Sequence, residues 1–510
     1  MKRVFLSLLV VLVSQLFGFS QGDSKLDIGK KVSKTINLKD KHSYTVFLEK
    51  GHFALVNLKQ QGIDVKIVTY DPLGNKLEEF DSQNGSKGDE LILLDALQEG
   101  AYRFEVIPLG EVKRERKGTY EIELVAINNA VESHLSQTIE HLNQRNYLPG
   151  FAITVVDKNK IRYKNAIGYA NREHKVPYSM ETVQGIASIS KTFIGISLML
   201  LVEEGKLTLD TPINEVLPFE VTNPYFSDIP ITIRHLATHT STINDFPIYY
   251  TKAGVLLEEL PVAKEKYPKE IKMVIEMARK NEDMSMPAFI KKMLTKEGEW
   301  YKKKNFFKKP PGQDWFYSNV GAALAAYIVE SISGIPYDEF VVSKILEPLD
   351  LKSAVWTDSE VAETKLAIYY TQSNIPLPKY KIITYPDGGL QINAMDLSKY
   401  LITLIKGYSG ENGLLTADSF QEIMKVQHEQ LEGDYKGRRD GIFWRYSTSG
   451  VMGHNGGDTG VIAMMNFHPE SNLGYTLLCN MDPTENGNAL TEFEKVWSTL
   501  KRYADFFKRN

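Results

Sequence analysis

The hydrophobic period of this chain changes near residue 128, and that change constrains its fold more than any other feature. Between about 24 and 128, apolar residues recur in short strand-like runs: Tyr44-Thr-Val-Phe-Leu48, Phe53-Ala-Leu-Val-Asn-Leu58 and Val65-Lys-Ile-Val-Thr-Tyr70. Asp71-Pro-Leu-Gly-Asn75 reads as a turn, because Pro presets φ and Gly supplies a positive one. Gly100-Ala-Tyr102 and Gly118-Thr-Tyr120 each open an alternating strand, Arg103-Phe-Glu-Val106 and Glu121-Ile-Glu-Leu124. Short strands at this spacing predict a small all-β sandwich over 24–128, with no catalytic constellation in it.

Over 129–510 the pattern is mixed. Ala130 to Asn146 has a helical period. Phe151-Ala-Ile-Thr-Val-Val156 and Ile161-Arg-Tyr-Lys-Asn-Ala166 flank a polar turn and predict a hairpin. A second hairpin is expected from Val461–Phe467 and Tyr475–Cys479, and a last helix from Ala489 to Phe507. Hairpins at both ends with helical segments between them predict an α+β domain: an antiparallel sheet flanked by helices. A charged stretch at about 247–309, which includes Lys302-Lys-Lys-Asn-Phe-Phe-Lys-Lys309, reads as a solvated insertion, with a lid or an anionic-substrate contact as the alternative.

Lys2 and Arg3 precede the apolar run Val4 to Phe17, and Gly18-Phe-Ser20 supplies small residues for a cleavage site. This predicts a signal peptide over 1–20 and an exported protein, periplasmic or secreted, with no stable membrane span after cleavage. The formal net charge of -4 gives no global attraction for nucleic acid. The one cysteine, Cys479, sits in an apolar strand-like run and reads as a buried, inert thiol.

Three short segments carry chemistry. Ser188-Ile-Ser-Lys191 opens the apolar helix Thr192–Val202, which stops at Gly205. Spacing i, i+3 puts Ser188 and Lys191 on one face. A lysine desolvated beside a serine loses its proton more readily and becomes a base for it. Tyr317-Ser-Asn319 follows Pro311-Gly312 and starts a second apolar helix, Val320–Val329. Gly453-His-Asn-Gly-Gly457 stands directly ahead of the C-terminal hairpin. The sequence contains no Gly-x-Ser-x-Gly elbow, no His-Glu-x-x-His, no Walker loop and no clustered Cys or His ligands, so no metal or cofactor is expected.

In this order and spacing, the three segments resemble the serine β-lactamase and penicillin-binding protein superfamily, in its class C β-lactamase, D-Ala-D-Ala carboxypeptidase and esterase branch. Leu209-Asp-Thr-Pro-Ile213, Leu236-Ala-Thr-His-Thr-Ser241, Glu347-Pro-Leu349 and Gly388-Gly-Leu390 extend the match. The sandwich resembles accessory domains of secreted bacterial peptidases. The resemblance implies a β-lactamase/transpeptidase-like fold with a helical subdomain and the site in the cleft between. It also implies Ser188 as nucleophile, with Lys191 and Tyr317 sharing acid and base work. Asn319 would bind the substrate amide, and His454 would assist Tyr317 or steer a carboxylate. Gly456 completes the third motif, and the N–H groups of Ser188 and Gly457 would form the oxyanion hole. His239, in the His-Thr-Ser segment, would be structural.

Two departures bear on function and fold. Thr242 stands where the family continues with Gly. His454 replaces Lys, which puts β-lactam hydrolysis in doubt. The expectation is a serine hydrolase of esterase or D-peptidase type acting on a small molecule or peptide. The alternatives are a true β-lactamase and a non-hydrolytic binder that retains the fold.

Overall fold

The computed structural model describes residues 24–82, 85–110, 117–428 and 437–509; the expected leader at 1–20 lies outside them. The chain divides into two compact units between Leu142 and Asn143.

The first unit is built on two sheets. One runs in the order Ser24–Lys25, His42–Leu48, Gly100–Leu109, Asp64–Tyr70, Lys76–Phe80; the other runs Lys31–Asn37, Lys117–Asn128, Phe53–Gln61, Lys87–Asp95. Their inward residues, among them Tyr44, Val56, Ile67, Phe104 and Ile122, form one core. The turn after Tyr70 works as its residues dictate. Asp71 Oδ1 accepts from the N–H groups of Leu73 and Asn75, and Gly74 has φ +85°. The strand Lys76–Phe80 is exposed at four of its five positions, so it carries no hydrophobic signal. The helix Val131–Leu142 packs on the strands Phe53–Gln61 and Lys117–Asn128, so this helix belongs to the sandwich unit.

The second unit is α+β. Its seven-stranded antiparallel sheet runs Val176–Pro177, Ile161–Asn171, Gly150–Asp157, Leu473–Cys479, Val461–His468, Met452–Asp458, Arg445–Tyr446. The two hairpins expected at opposite ends of the unit meet at its centre, where Phe151 pairs with Cys479 and Thr154 with Thr476. Leu473–Cys479 is buried at every residue, which requires cover on both faces. Helix Ala394–Tyr408 covers one face, with Leu401 against Gly474. Helix Gly487–Arg509 covers the other, with Trp497 against Tyr475. Cys479 is free and buried, and desolvation pushes its thiol up to about 12, so it is not a nucleophile at neutral pH.

The helices Ser190–Glu203 and Asn319–Ser333 pack together inside the main core. Between them lies the stretch read as a solvated insertion. Part of it is not solvated: the helix Met286–Leu294 buries Met286, Phe289, Ile290, Met293 and Leu294 in that core. Its apolar positions recur at i, i+3, i+4 and i+7, a helical face that the flanking lysines masked. Lys302, Lys303, Lys304, Lys308 and Lys309 are exposed. Among the described residues no single helix is long and apolar enough to cross a membrane.

Candidate active site

The short turn Ala187–Ile189 leads directly into the helix Ser190–Glu203. Ala187 has φ +44°, a left-handed conformation that costs an alanine about 1 kcal/mol or more. Leu390, at the end of Gly388-Gly-Leu390, holds it there. Ile186 N donates to the Leu390 carbonyl at 3.0 Å, and Leu390 N donates to Ser190 Oγ at 3.2 Å. In the run 182–199 every residue is buried except Ser188, so the turn presents this one side chain outward.

Lys191 sits one turn further on and is fully buried, as the apolar run around it requires. Its Nζ donates to Ser188 Oγ at 3.0 Å, to Asn319 Oδ1 at 2.8 Å and to the Asp387 carbonyl at 2.5 Å. An ammonium has three donors, and these three acceptors use all of them. The ring of Tyr317 lies with its centroid 5.1 Å from Nζ, and Tyr317 itself is partly exposed.

Asn319 is fixed by the start of its own helix. The buried Asp245 carboxylate accepts from Ser318 Oγ at 2.7 Å, Asn319 N at 2.6 Å and Val320 N at 3.3 Å, while Ser318 Oγ accepts from Gly321 N. A carboxylate and a serine cap together satisfy the free N–H groups of this helix end. Burial raises the Asp245 carboxyl, and these hydrogen bonds oppose the rise.

His239 packs against Tyr317 and the segment leading into helix Asn319–Ser333. Its Nδ1 accepts from Ser318 N at 3.2 Å, and its ring packs 4.4 Å from that of Tyr317. Burial, followed by the Lys191 charge, holds it neutral, well below its ordinary value. Thr242 occupies a left-handed position with φ +68°, which a β-branched residue rarely adopts. Its hydroxyl is clamped between the Ser241 carbonyl and Asn223 Nδ2, at 2.5 and 2.8 Å, which offsets the missing glycine.

The Gly-rich third segment is the strand Met452–Asp458. It passes so close to the Ala187–Ile189 turn that a Cβ on Gly456 would lie 2.0 Å from the Ile186 carbonyl oxygen and 3.0 Å from Ser188 N. Gly457, by contrast, faces open space. His454 Nδ1 lies 2.8 Å from the Asn455 carbonyl oxygen. A carbonyl only accepts, so Nδ1 carries the proton and Nε2 is left as an acceptor. Desolvation and the neighbouring Lys191 ammonium hold this imidazole well below its ordinary value.

Residues outside the three motifs join the site. The Asp387 carboxylate is buried with Oδ1 3.9 Å from Lys191 Nζ, and Tyr249 Oη donates to it at 2.9 Å. In the sequence an Asp before Gly-Gly reads as a turn residue, which hides it. Beyond His454 and Tyr317, a cavity of about 540 Å³ is also lined by Arg438, Arg445 and Lys501, with Asp440 the one acid among its described lining residues. Arg438 lies over the Trp315 ring and donates to Asp440. Among the described residues no three metal-ligating side chains converge.

Residues 135–495 match the Beta-lactamase family. The chain belongs to that family. This beta-lactamase family member is 26% identical over 382 residues to the human mitochondrial serine beta-lactamase-like protein LACTB, covering 63% of this chain and 69% of the relative. It is 21% identical over 399 residues to protein flp of Staphylococcus aureus strain MW2, with 75% and 71% covered. Among solved structures, the octameric penicillin-binding protein homologue of Pyrococcus abyssi superposes with a TM-score of 0.52 at 23% identity, over 71% of this chain and 76% of that one. A class C beta-lactamase superposes with a TM-score of 0.51 at 16% identity, over 73% and 98%. At these identities the structural neighbours establish the fold, which is the β-lactamase/transpeptidase-like one. The family places the chain among serine hydrolases.

Proposed function

We propose that the protein is an exported serine hydrolase that cleaves an ester or amide through an acyl-enzyme on Ser188. The observation that carries this reading is the 3.0 Å contact between Lys191 Nζ and Ser188 Oγ, with the amine buried and the hydroxyl turned outward. In its neutral form Lys191 accepts the Ser188 proton while Oγ attacks the carbonyl carbon. Asn319 and the Asp387 carbonyl keep the amine aimed at Oγ. The oxyanion would be received by the N–H groups of Ser188 and Gly457, on the two segments that Gly456 brings together. The Tyr317 hydroxyl would return a proton to the leaving group, and a water would then release the acyl group. Export rests on the leader Lys2-Arg3-Val4–Phe17.

His454 is a neutral imidazole where a Lys would offer a full charge. For a substrate carboxylate, the charge in this cleft comes instead from Arg445 and Lys501, since Arg438 is paired with Asp440. We therefore expect short-chain esters or D-amino-acid peptides to be turned over faster than β-lactams, with β-lactams acylating Ser188 and leaving slowly. Intact-mass analysis after a fluorophosphonate probe should show one adduct on the wild type and none on Ser188→Ala. A comparison of kcat/KM for a p-nitrophenyl ester and a chromogenic cephalosporin then fixes the class. Faster cephalosporin turnover would make the protein a true β-lactamase, and absence of any adduct or turnover would make it a binder.

A further inference from the structure

The proposed mechanism uses the backbone of Asp387 and leaves its side chain without a task. That side chain is 1% exposed, Lys191 is 0% exposed, and Oδ1 stands 3.9 Å from Nζ. The other groups around the lysine are differently committed. Asp245 is bonded to Ser318 and the N-terminus of helix Asn319–Ser333. His239 and His454 are neutral imidazoles. Tyr317 presents its ring, and Asp458 accepts from Thr459 N at 2.7 Å. Tyr249 faces Asp387 rather than the amine. Among the described residues Asp387 is the one acid within 4 Å of Nζ.

A buried ammonium whose three acceptors are neutral oxygens still needs its charge balanced, because in a poorly polarisable interior an isolated charge is costly. We propose that the Asp387 side chain is a positioning residue for Lys191: it is the buried counter-charge that strengthens the lysine's hold on its proton, and so sets the pH at which the lysine becomes the base for Ser188. An opposite charge at this distance favours the charged form of its neighbour by about one to three pKa units. Burial raises the Asp387 carboxyl itself to about 7, against the pull of Lys191 and the Tyr249 hydrogen bond. The carboxylate therefore acts as counter-charge above neutrality and gives up that role below it. This rests on the reading of Lys191 as general base.

Two measurements test it. The first is the rate of Ser188 labelling by a fluorophosphonate from roughly pH 5 to 10, in wild type, Asp387→Asn and Tyr249→Phe. The second is the titration midpoint of Lys191 in the same proteins, read from ¹³C-labelled lysine with the resonance assigned through Lys191→Arg; it requires no catalysis. Asp387→Asn should move both the acid limb of labelling and the lysine midpoint down by about one to three pH units. Tyr249→Phe, which weakens the carboxylate without removing it, should move them the same way by less, and it decides the matter if the asparagine variant fails to fold. A purely structural Asp387 predicts a lower rate with limb and midpoint unmoved within about 0.3 units, and that result overturns the proposal. If wild-type Ser188 does not label but the midpoint still falls in Asp387→Asn, the hydrolase reading fails and the pairing stands.

Discussion

Gly456→Ala tests the close approach of the Met452–Asp458 strand to the Ala187–Ile189 turn. The added methyl would start 2.0 Å from the Ile186 carbonyl oxygen, where an ordinary contact is 3.4 Å or more. The two segments must therefore separate by more than 1 Å, and both partners are backbone, so no side chain can swing away. Overpacking of this kind costs about 1–3 kcal/mol. For a unit of this size that corresponds to a fall in Tm of roughly 1–4 °C. The effect on rate should be larger, because a misplacement of about 1 Å among catalytic groups can cost about 100-fold. Gly457→Ala is the control for stability alone: its methyl meets nothing within 4 Å, so its Tm should stay at the wild-type value. Calorimetry gives the Tm of both variants, and the fluorophosphonate labelling rate reports the site. If Gly456→Ala labels at the wild-type rate with an unchanged Tm, the strand does not lie against the turn as described and the two-segment oxyanion site is wrong.

Three further outcomes are expected. Lys191→Ala should slow acylation of Ser188 by about 10²–10⁴-fold while circular dichroism stays native, and an undiminished rate would remove the lysine from the mechanism. A fragment beginning at Asn143, where the second unit starts, should fold and label at a rate close to that of the full chain; an insoluble or inert fragment would show that the sandwich completes the catalytic unit. His235 takes a hydrogen bond from Thr232 N on its Nδ1, and burial pushes it down to about 4. The unfolded chain then binds this proton more readily than the folded one, so the contribution is intact above about pH 6.5 and is lost as pH falls towards 4. Thermal melts across that range should show Tm falling with pH, and His235→Gln should flatten the fall.

What the sequence disclosed and what it hid have physical reasons. The central hairpins were legible because Phe151–Val156 and Tyr475–Cys479 are apolar over a strand's length and are bounded by polar turns. Their partnership was not, since nothing in either run encodes which distant strand it will meet. The segment 452–458 was noticed for its chemistry rather than as a strand. Met-Gly-His-Asn-Gly-Gly-Asp has no alternation, because two of its glycines answer steric demands: Gly453 lies against Asn466 and Gly456 against Ile186. Lys191 could be read as buried from the helix that follows it. Asp387 could not, because its turn-like context is local and its role comes from a side chain far away in sequence. Met286–Leu294 was masked by charges on either side of a short apolar face.

The pairing of Thr154 with Thr476 joins residues 322 apart in sequence. During synthesis the strand Gly150–Asp157 is made long before its neighbour Leu473–Cys479. Until then the sheet has no middle: one hairpin waits with an apolar edge, and the segment that presses against Ser188 has nothing to hang from. Contacts of such long range are slow to form. Assembly of this pocket is thus tied to the arrival of Leu473–Cys479, and a chain that has not yet reached that strand holds its serine and lysine without a finished cleft around them.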